Sequence, residues 1–402
     1  MRRVVITGAG TVNALALDVA GTLAALREGR VGIGPLDFPE VERLSIRIGA
    51  QIHGWDGAAR FSRSELALYD RVTQFAVEAA QQAMAQSGLT VDEALALRAG
   101  VVLGTGGGGY NTIDESYRAV HAEGKNRVHP FTIPKLMHNA AAAHLAMRHG
   151  LKGPSLTVST ACASSNHAMG LAFQMVRSGA AEVMLAGGAE ATLCFGGIKA
   201  WEGLRVMSPD GCRPFCASRN GMVQGEGAAV YVFEEYEHAR ARGAEILAEL
   251  AGFAMSSDAG DIVMPDADGA VRAIEGALAD AALPPEAIGY VNAHGTATAA
   301  NDRSEATALA RVFGGHVAQL PVSSTKSMHG HLIGGAGAME LLPCLMALRE
   351  GIIAPTAGYR EADPDCPLDV VPNTAREARV GAVLSNAFAF GGMNACLVLR
   401  AV

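Results

Sequence analysis

Leu156–Gly179 reads LTVSTACASSNHAMGLAFQMVRSG. LTVST, rich in β-branched residues, predicts a short strand; the stretch of small and apolar residues after it predicts a long helix, which stops at Gly179. Cys162 therefore falls on a strand-to-helix junction. A cysteine at a helix start meets aligned backbone N–H groups, which favour the thiolate and can also hold an oxyanion. The same pattern describes a small-residue helix start that merely buries an inert thiol, so this segment by itself leaves both readings open.

Moving outward, short apolar runs punctuated by glycine alternate with alanine-rich stretches. Val4–Thr7 reads as a first strand, Leu15–Arg27 as a helix, and Ser64–Gln86 as a second helix with apolar positions at roughly helical spacing. Val101–Gly104 is a strand ahead of the glycine cluster Gly106–Gly109, and Val183–Ala186 and Ala228–Phe233 continue the strand pattern. Further on, Ala270–Ala281 and Asn301–Val312 read as helices, Val291, Val322 and Val383–Leu384 mark strands, and Ala395–Leu399 is an apolar final strand. This alternation predicts sheets covered by helices. The charged segment EEYEHARARGAE marks a boundary near residue 245 without a Pro/Ser-rich linker, which predicts two similar α/β halves, 1–245 and 246–402, sharing one core.

Composition narrows the function classes. At 402 residues and 50% hydrophobic the chain can bury a large core, which excludes a disordered or fibrous protein. Its formal charge of -8 argues against nucleic acid as the main partner. MRRVVITGAG breaks at Gly8 and Gly10 before an apolar segment long enough for a signal peptide, and no run of about 18 apolar residues predicts membrane insertion. Seven scattered cysteines suit a reducing, cytoplasmic setting. Cys212 and Cys216 have no second pair with which to hold zinc, and the glycines near Gly8 lack the wider dinucleotide fingerprint.

Two other segments carry chemistry. NAHGTATAAND, Asn292–Asp302, sets His294 before a glycine and two hydroxyl residues, Thr296 and Thr298. SSTKSMHGHLIGGAGAME, Ser323–Glu340, supplies Lys326, His329 and His331 beside another glycine-rich turn. A lone histidine in such a place is as readily structural as catalytic. One cysteine and two separated histidines form a thiol-transfer site if the fold brings their loops together, because histidines can move protons or stabilise an enolate or oxyanion.

With these motifs in this order, and from RRVVITGAG at the start to SNAFAFGGMNACLVL at the end, the chain resembles the beta-ketoacyl-acyl-carrier-protein synthases of the elongating type, within the thiolase-like superfamily. The resemblance implies a duplicated thiolase-like fold with layered helices and mixed sheets. It implies decarboxylative Claisen condensation of malonyl carrier protein with an acyl chain on Cys162, with His294 and His331 supporting decarboxylation. Lys326 supports the site, linked to Glu305. The backbone N–H groups of Cys162 and Phe390 form the oxyanion hole; Phe390 also gates the acyl pocket, and Thr296 and Thr298 bind the phosphopantetheine arm. No cofactor is implied beyond substrates carried on acyl carrier protein. A structural monovalent cation is implied near Asn292, Glu340, Ser385 and Asn386, and no catalytic metal.

Several positions depart from the family pattern. Gly107 stands where some long-chain synthases carry a bulky aliphatic residue, and Ile198 where phenylalanine is frequent; together they predict room beyond Cys162 for a long, kinked or conjugated acyl chain. FGFGGTN becomes FAFGGMN at Ala389 and Met393, and RPFD becomes RPFC at Cys216, which points to a specialised branch. Lys125, Arg127, Lys135, Arg205 and Arg213 are candidates for a carrier-docking surface. The family implies a homodimer, for which the apolar helix Ala168–Val176 could supply an interface. A heterodimer with a ketosynthase-like chain-length subunit is the alternative assembly. A specialised polyketide or aryl-polyene ketosynthase is the alternative activity, and a non-elongating partner subunit the alternative role.

Overall fold

The computed structural model describes residues 1–402. Ten strands make one continuous sheet: β1 (Val4–Asn13), β2 (Ala99–Gly104), β3 (Ser155–Val158), β4 (Val183–Glu190), β5 (Gly227–Glu235), β6 (Ala248–Ser257), β7 (Tyr290–Asn292), β8 (Val322–Ser323), β9 (Ala382–Ala389) and β10 (Met393–Arg400). Their order is β3-β2-β4-β5-β1 followed by β6-β10-β9-β7-β8, so the second five repeat the first five from the opposite edge. In each set four strands run in one direction and the fifth, β5 or β10, runs against them. Only Val4–Ile6 against Ala248–Leu250 joins the sets.

Six helices complete the repeat: α1 (Arg71–Ser87), α2 (Ala140–His149), α3 (Ser164–Ser178), α4 (Ala267–Ala281), α5 (Ala299–Phe313) and α6 (Ala336–Glu350). Each half is thus a βαβαβαββ chain. Helices α3 and α6 lie between the two five-stranded sets and share the largest buried cluster with residues from both. Separate clusters fill the space under α1 and α2 on one outer face, and under α4 and α5 on the other. Close approach in the middle layer demands small residues: a Cβ at Gly170 of α3 would lie 2.2 Å from the Phe253 ring of β6.

Local chemistry explains where elements begin. Asp70 caps α1 by accepting from Val72 N–H, and that cap divides the single helix expected over Ser64–Gln86 into Arg63–Leu66 and α1. The segment Ala168–Val176, expected to be available for an interface, lies inside α3 with every residue but Gln174 buried or half-buried, so it is mainly internal core. Strand β6 and helices α2 and α6 are not among the elements expected from the sequence. No helix is long and apolar enough to cross a membrane.

Candidate active site

The duplicated fold brings the end of β3 and the start of α3 against loops after β7 and β8 and the β9–β10 turn. Ala161 takes the left-handed φ of 47°, turning the chain sharply before Cys162. Ser164 holds the turn, its Oγ accepting from Thr160 N–H at 2.8 Å and donating to Ala161 O at 2.6 Å. Cys162 Sγ, His294 and His331 then converge, each offering an atom within 4.8 Å of the others. All three are buried. They line a cavity of about 350 Å³ together with Trp201, Arg205, Met222, Thr296, Thr298, Phe388 and Phe390.

The hydrogen bonds decide the histidine tautomers. Ile333 N–H donates to His331 Nδ1 at 3.2 Å, which places the ring proton on Nε2, and that buried Nε2 has no partner in the protein. Lys326 Nζ lies 3.4 Å from His294 Nδ1 and donates to His294 O at 2.6 Å, so His294 Nε2 likewise carries its proton. Burial, and then the Lys326 charge, hold both imidazoles well below their ordinary pKa. Two neutral rings therefore present N–H donors beside one thiol. That is an arrangement for stabilising a developing oxyanion, and it leaves no lone pair at either Nε2 for a metal.

Burial pushes the Cys162 thiol up to about 12, against the lowering effects of Lys326 and of the backbone N–H groups of Phe390 and Cys162 itself. The same two N–H groups are directed at Sγ. Phe390 stacks on Trp201 with ring centroids 5.9 Å apart, and Phe388 meets His294 edge-on at 6.1 Å. The Thr296 and Thr298 hydroxyls lie 2.9 Å apart on the cavity wall. Thr298 precedes α5 but its side chain does not cap it, so the turn makes no use of that hydroxyl as a cap.

Several expectations need correction. Lys326 is ion-paired with Glu340, not with Glu305; both members are fully buried. Glu305 instead accepts from the N–H groups of His294 and Gly295, each at 2.8 Å, and from Asn386 at 3.2 Å, thereby holding the His294 loop. The room expected beyond Gly107 is closed, because a Cβ there would lie 3.0 Å from both Thr192 and Tyr110. Gly107 and Ile198 do not line the cavity, and Ile198 packs with Leu193, Met207, Met222 and Ile333. Arg213 is buried on Asp210, Ser218 and Asn220 and offers no docking charge, whereas Arg205 does line the cavity.

The expected cation site has a partial match. Asn292 Oδ1, Glu340 Oε2 and Ser385 Oγ are buried without partners, and Asn292 and Ser385 are register neighbours on β7 and β9. These oxygens fit a monovalent cation. The Asn386 amide does not join them, being engaged by Glu305 and by the Cys396 thiol.

Sequence reading assigned no role to Asp302, which accepts from the N–H groups of Phe215 at 2.7 Å and Ala297 at 3.2 Å and so closes the loop around Thr296. It also passed over Trp201, Phe388 and Glu190. Asp302 and Phe388 stand inside quoted motifs; Trp201 and Glu190 have no local signal.

Residues 1–239 match the family "Beta-ketoacyl synthase, N-terminal domain" and residues 247–360 match "Beta-ketoacyl synthase, C-terminal domain". The chain belongs to the beta-ketoacyl synthase family. This ketosynthase has the duplicated thiolase-like fold, and its cysteine–histidine–histidine cluster is the active site of a condensing enzyme acting on a carrier-linked acyl chain. It is 49% identical to Nodulation protein E of Rhizobium sp. (strain N33), each chain being covered in full. It is 40% identical to 3-oxoacyl-[acyl-carrier-protein] synthase 2 of Coxiella burnetii (strain RSA 493 / Nine Mile phase I), over 100% of this chain and 99% of that one. Among solved structures, the ishigamide ketosynthase/chain length factor superposes with a TM-score of 0.95 at 36% identity, covering 100% of this chain and 99% of that one.

Proposed function

We propose that this ketosynthase extends the acyl chain of a specialised product, of polyketide or aryl-polyene type, rather than serving general fatty-acid elongation. The observation that carries this is the gradient of likeness: 49% identity to Nodulation protein E against 40% to a 3-oxoacyl-[acyl-carrier-protein] synthase 2, both over the full chain. The substitutions Ala389 and Met393 in the gate turn, and Cys216 in RPFC, support the same branch. These likenesses support the alternative reading better than the main expectation of ordinary fatty-acid-like elongation.

In the mechanism, Cys162 takes the acyl group from a carrier thioester, breaking the carrier C–S bond and forming its own. The N–H groups of Phe390 and Cys162 hold the tetrahedral oxygen. Malonyl thioester enters along Thr296 and Thr298, and loss of CO₂ leaves an enolate whose oxygen the Nε2–H groups of His294 and His331 stabilise. The enolate carbon attacks the acyl-cysteine carbonyl and Sγ leaves as thiolate. Lys326 and Glu305 orient the His294 loop. We divide the chain into 1–245, carrying the nucleophile, and 246–402, carrying both histidines. The partners we assign are an acyl carrier protein and a chain-length subunit, the second after the solved ishigamide ketosynthase/chain length factor; seven free cysteines suit a cytoplasmic site.

The test incubates the purified chain with malonyl carrier protein and short, long and unsaturated acyl carriers, with and without a co-purified ketosynthase-like subunit, following carrier-bound products by intact mass. Extension favouring unsaturated or polyketide carriers, and gained or lengthened with the second subunit, supports the proposal. Efficient extension of saturated chains by the chain alone returns it to general elongation. Inactivity in both arms favours a non-elongating role.

A further inference from the structure

Glu190, at the end of β4, is fully buried and reaches both halves of the molecule. Its carboxylate accepts from Gly106 N–H at 2.7 Å, Gly107 N–H at 3.1 Å and Thr105 Oγ at 3.3 Å in the first half, and from Gly334 N–H at 3.0 Å in the second. Burial pushes this carboxyl up to about 7, against the lowering effect of the four donors. The segment it grips in the second half follows His331 directly. There Ile333 adopts the left-handed φ of 43°, unfavourable for a β-branched residue and stable only where the surroundings impose it. Packing leaves no slack, since a Cβ at Gly334 would lie 2.1 Å from Gly106 N and one at Gly106 would lie 2.9 Å from the Ile333 side chain.

The Ile333 N–H is the group that holds His331 Nδ1 and leaves Nε2–H turned to the cavity without a partner. We propose that Glu190 is a positioning residue for decarboxylation: by clamping Gly334 to the Gly106–Gly107 turn it imposes the strained Ile333 turn that sets the tautomer and aim of His331. The inference rests on the assignment of His331 to the decarboxylating pair. Glu190 makes no hydrogen bond to Cys162 or to the Ala161 turn and reaches the thiol only through its charge, so the two half-reactions separate the clamp from a general structural role.

The experiment compares wild type, Glu190→Gln, Glu190→Asp and His331→Ala in two assays: single-turnover acylation of Cys162 from acyl carrier protein, read by intact mass, and release of CO₂ from malonyl carrier protein. Thermal unfolding is recorded for each. Glu190→Gln is expected to acylate within about 3-fold of wild type but to release CO₂ about 100-fold more slowly, the scale of a misplaced oxyanion donor. Glu190→Asp, which keeps the charge, recovers part of that loss. Unchanged CO₂ release in Glu190→Gln while His331→Ala is impaired overturns the clamp alone. Equal loss of both half-reactions in Glu190→Gln and Glu190→Asp reduces Glu190 to a structural residue and likewise overturns it. An unimpaired His331→Ala overturns the underlying assignment of His331 instead.

Discussion

Replacing Lys326 with methionine keeps the length of the side chain and removes its charge. The lysine and its partner Glu340 are both fully buried, and Lys326 also donates to His294 O at 2.6 Å. Removing one member of such a pair costs about 3–5 kcal/mol when the other stays charged. Glu340 has an escape. Burial already pushes its carboxyl up to about 7 with Lys326 opposing that shift, and without the lysine it rises further and holds a proton. A carboxyl whose pKa is higher in the folded chain than in the unfolded chain favours folding when protonated. Wild type carries the same linkage up to its own value of about 7, so the extra loss in the variant stays constant below pH 7 and grows above it, by at most about 1.4 kcal/mol per pH unit, until the variant's higher value is reached. Thermal unfolding of Lys326→Met at pH 5.5, 7 and 8.5, beside the double variant Lys326→Met/Glu340→Leu, measures this. The single variant is expected to run parallel to wild type between pH 5.5 and 7 and to weaken relative to it between pH 7 and 8.5, and the double variant to recover most of the loss and to lack that divergence. A loss independent of pH, or a double variant as unstable as the single one, would refute the reasoning. Carbon dioxide release from malonyl carrier protein should fall roughly 100-fold in the single variant, because the donor that fixes the His294 tautomer is gone.

Other outcomes follow from the same geometry. Because burial holds the resting Cys162 thiol up to about 12, its alkylation by iodoacetamide should keep accelerating past pH 9; a rate that levels off below pH 8 would contradict this. Cys162→Ala should show no acyl adduct by intact mass and no condensation while its thermal unfolding stays close to wild type. Thr296→Val and Thr298→Val should each raise KM for the malonyl carrier about 2- to 10-fold with a smaller change in kcat, the worth of one hydrogen bond to the carrier arm; an effect confined to kcat would count against that role. Phe390→Ala, which removes the ring stacked on Trp201 but keeps the backbone donor, should preserve acylation and broaden the range of acyl chains accepted, as read by competition between carriers.

The elements most legible in the sequence were those with one wet face or a marked boundary. Strand β3, helix α3 and the Cys162 junction could be read from β-branched residues giving way to small ones, and α4 and α5 from their helical spacing. Helix α6 could not, because Ala336–Ala347 is buried on every side and a helix without a polar face has no period to detect. The cap at Asp70 was masked for the opposite reason, since the apolar spacing continues across it.

By itself the sequence determined the kinds of groups available and their order along the chain: one cysteine at a helix start, two histidines in glycine-rich loops, and a phenylalanine turn near the end. Only the tertiary structure decided which of them touch. It paired Lys326 with Glu340, gave Glu305 to the backbone at His294, filled the space beyond Gly107, and joined Gly334 to the Gly106 turn through Glu190. Composition and spacing govern local backbone choice, which acts over a few residues. Partners separated by tens or hundreds of residues meet through the packing of the two five-stranded sets and the helices between them, and no local pattern records that.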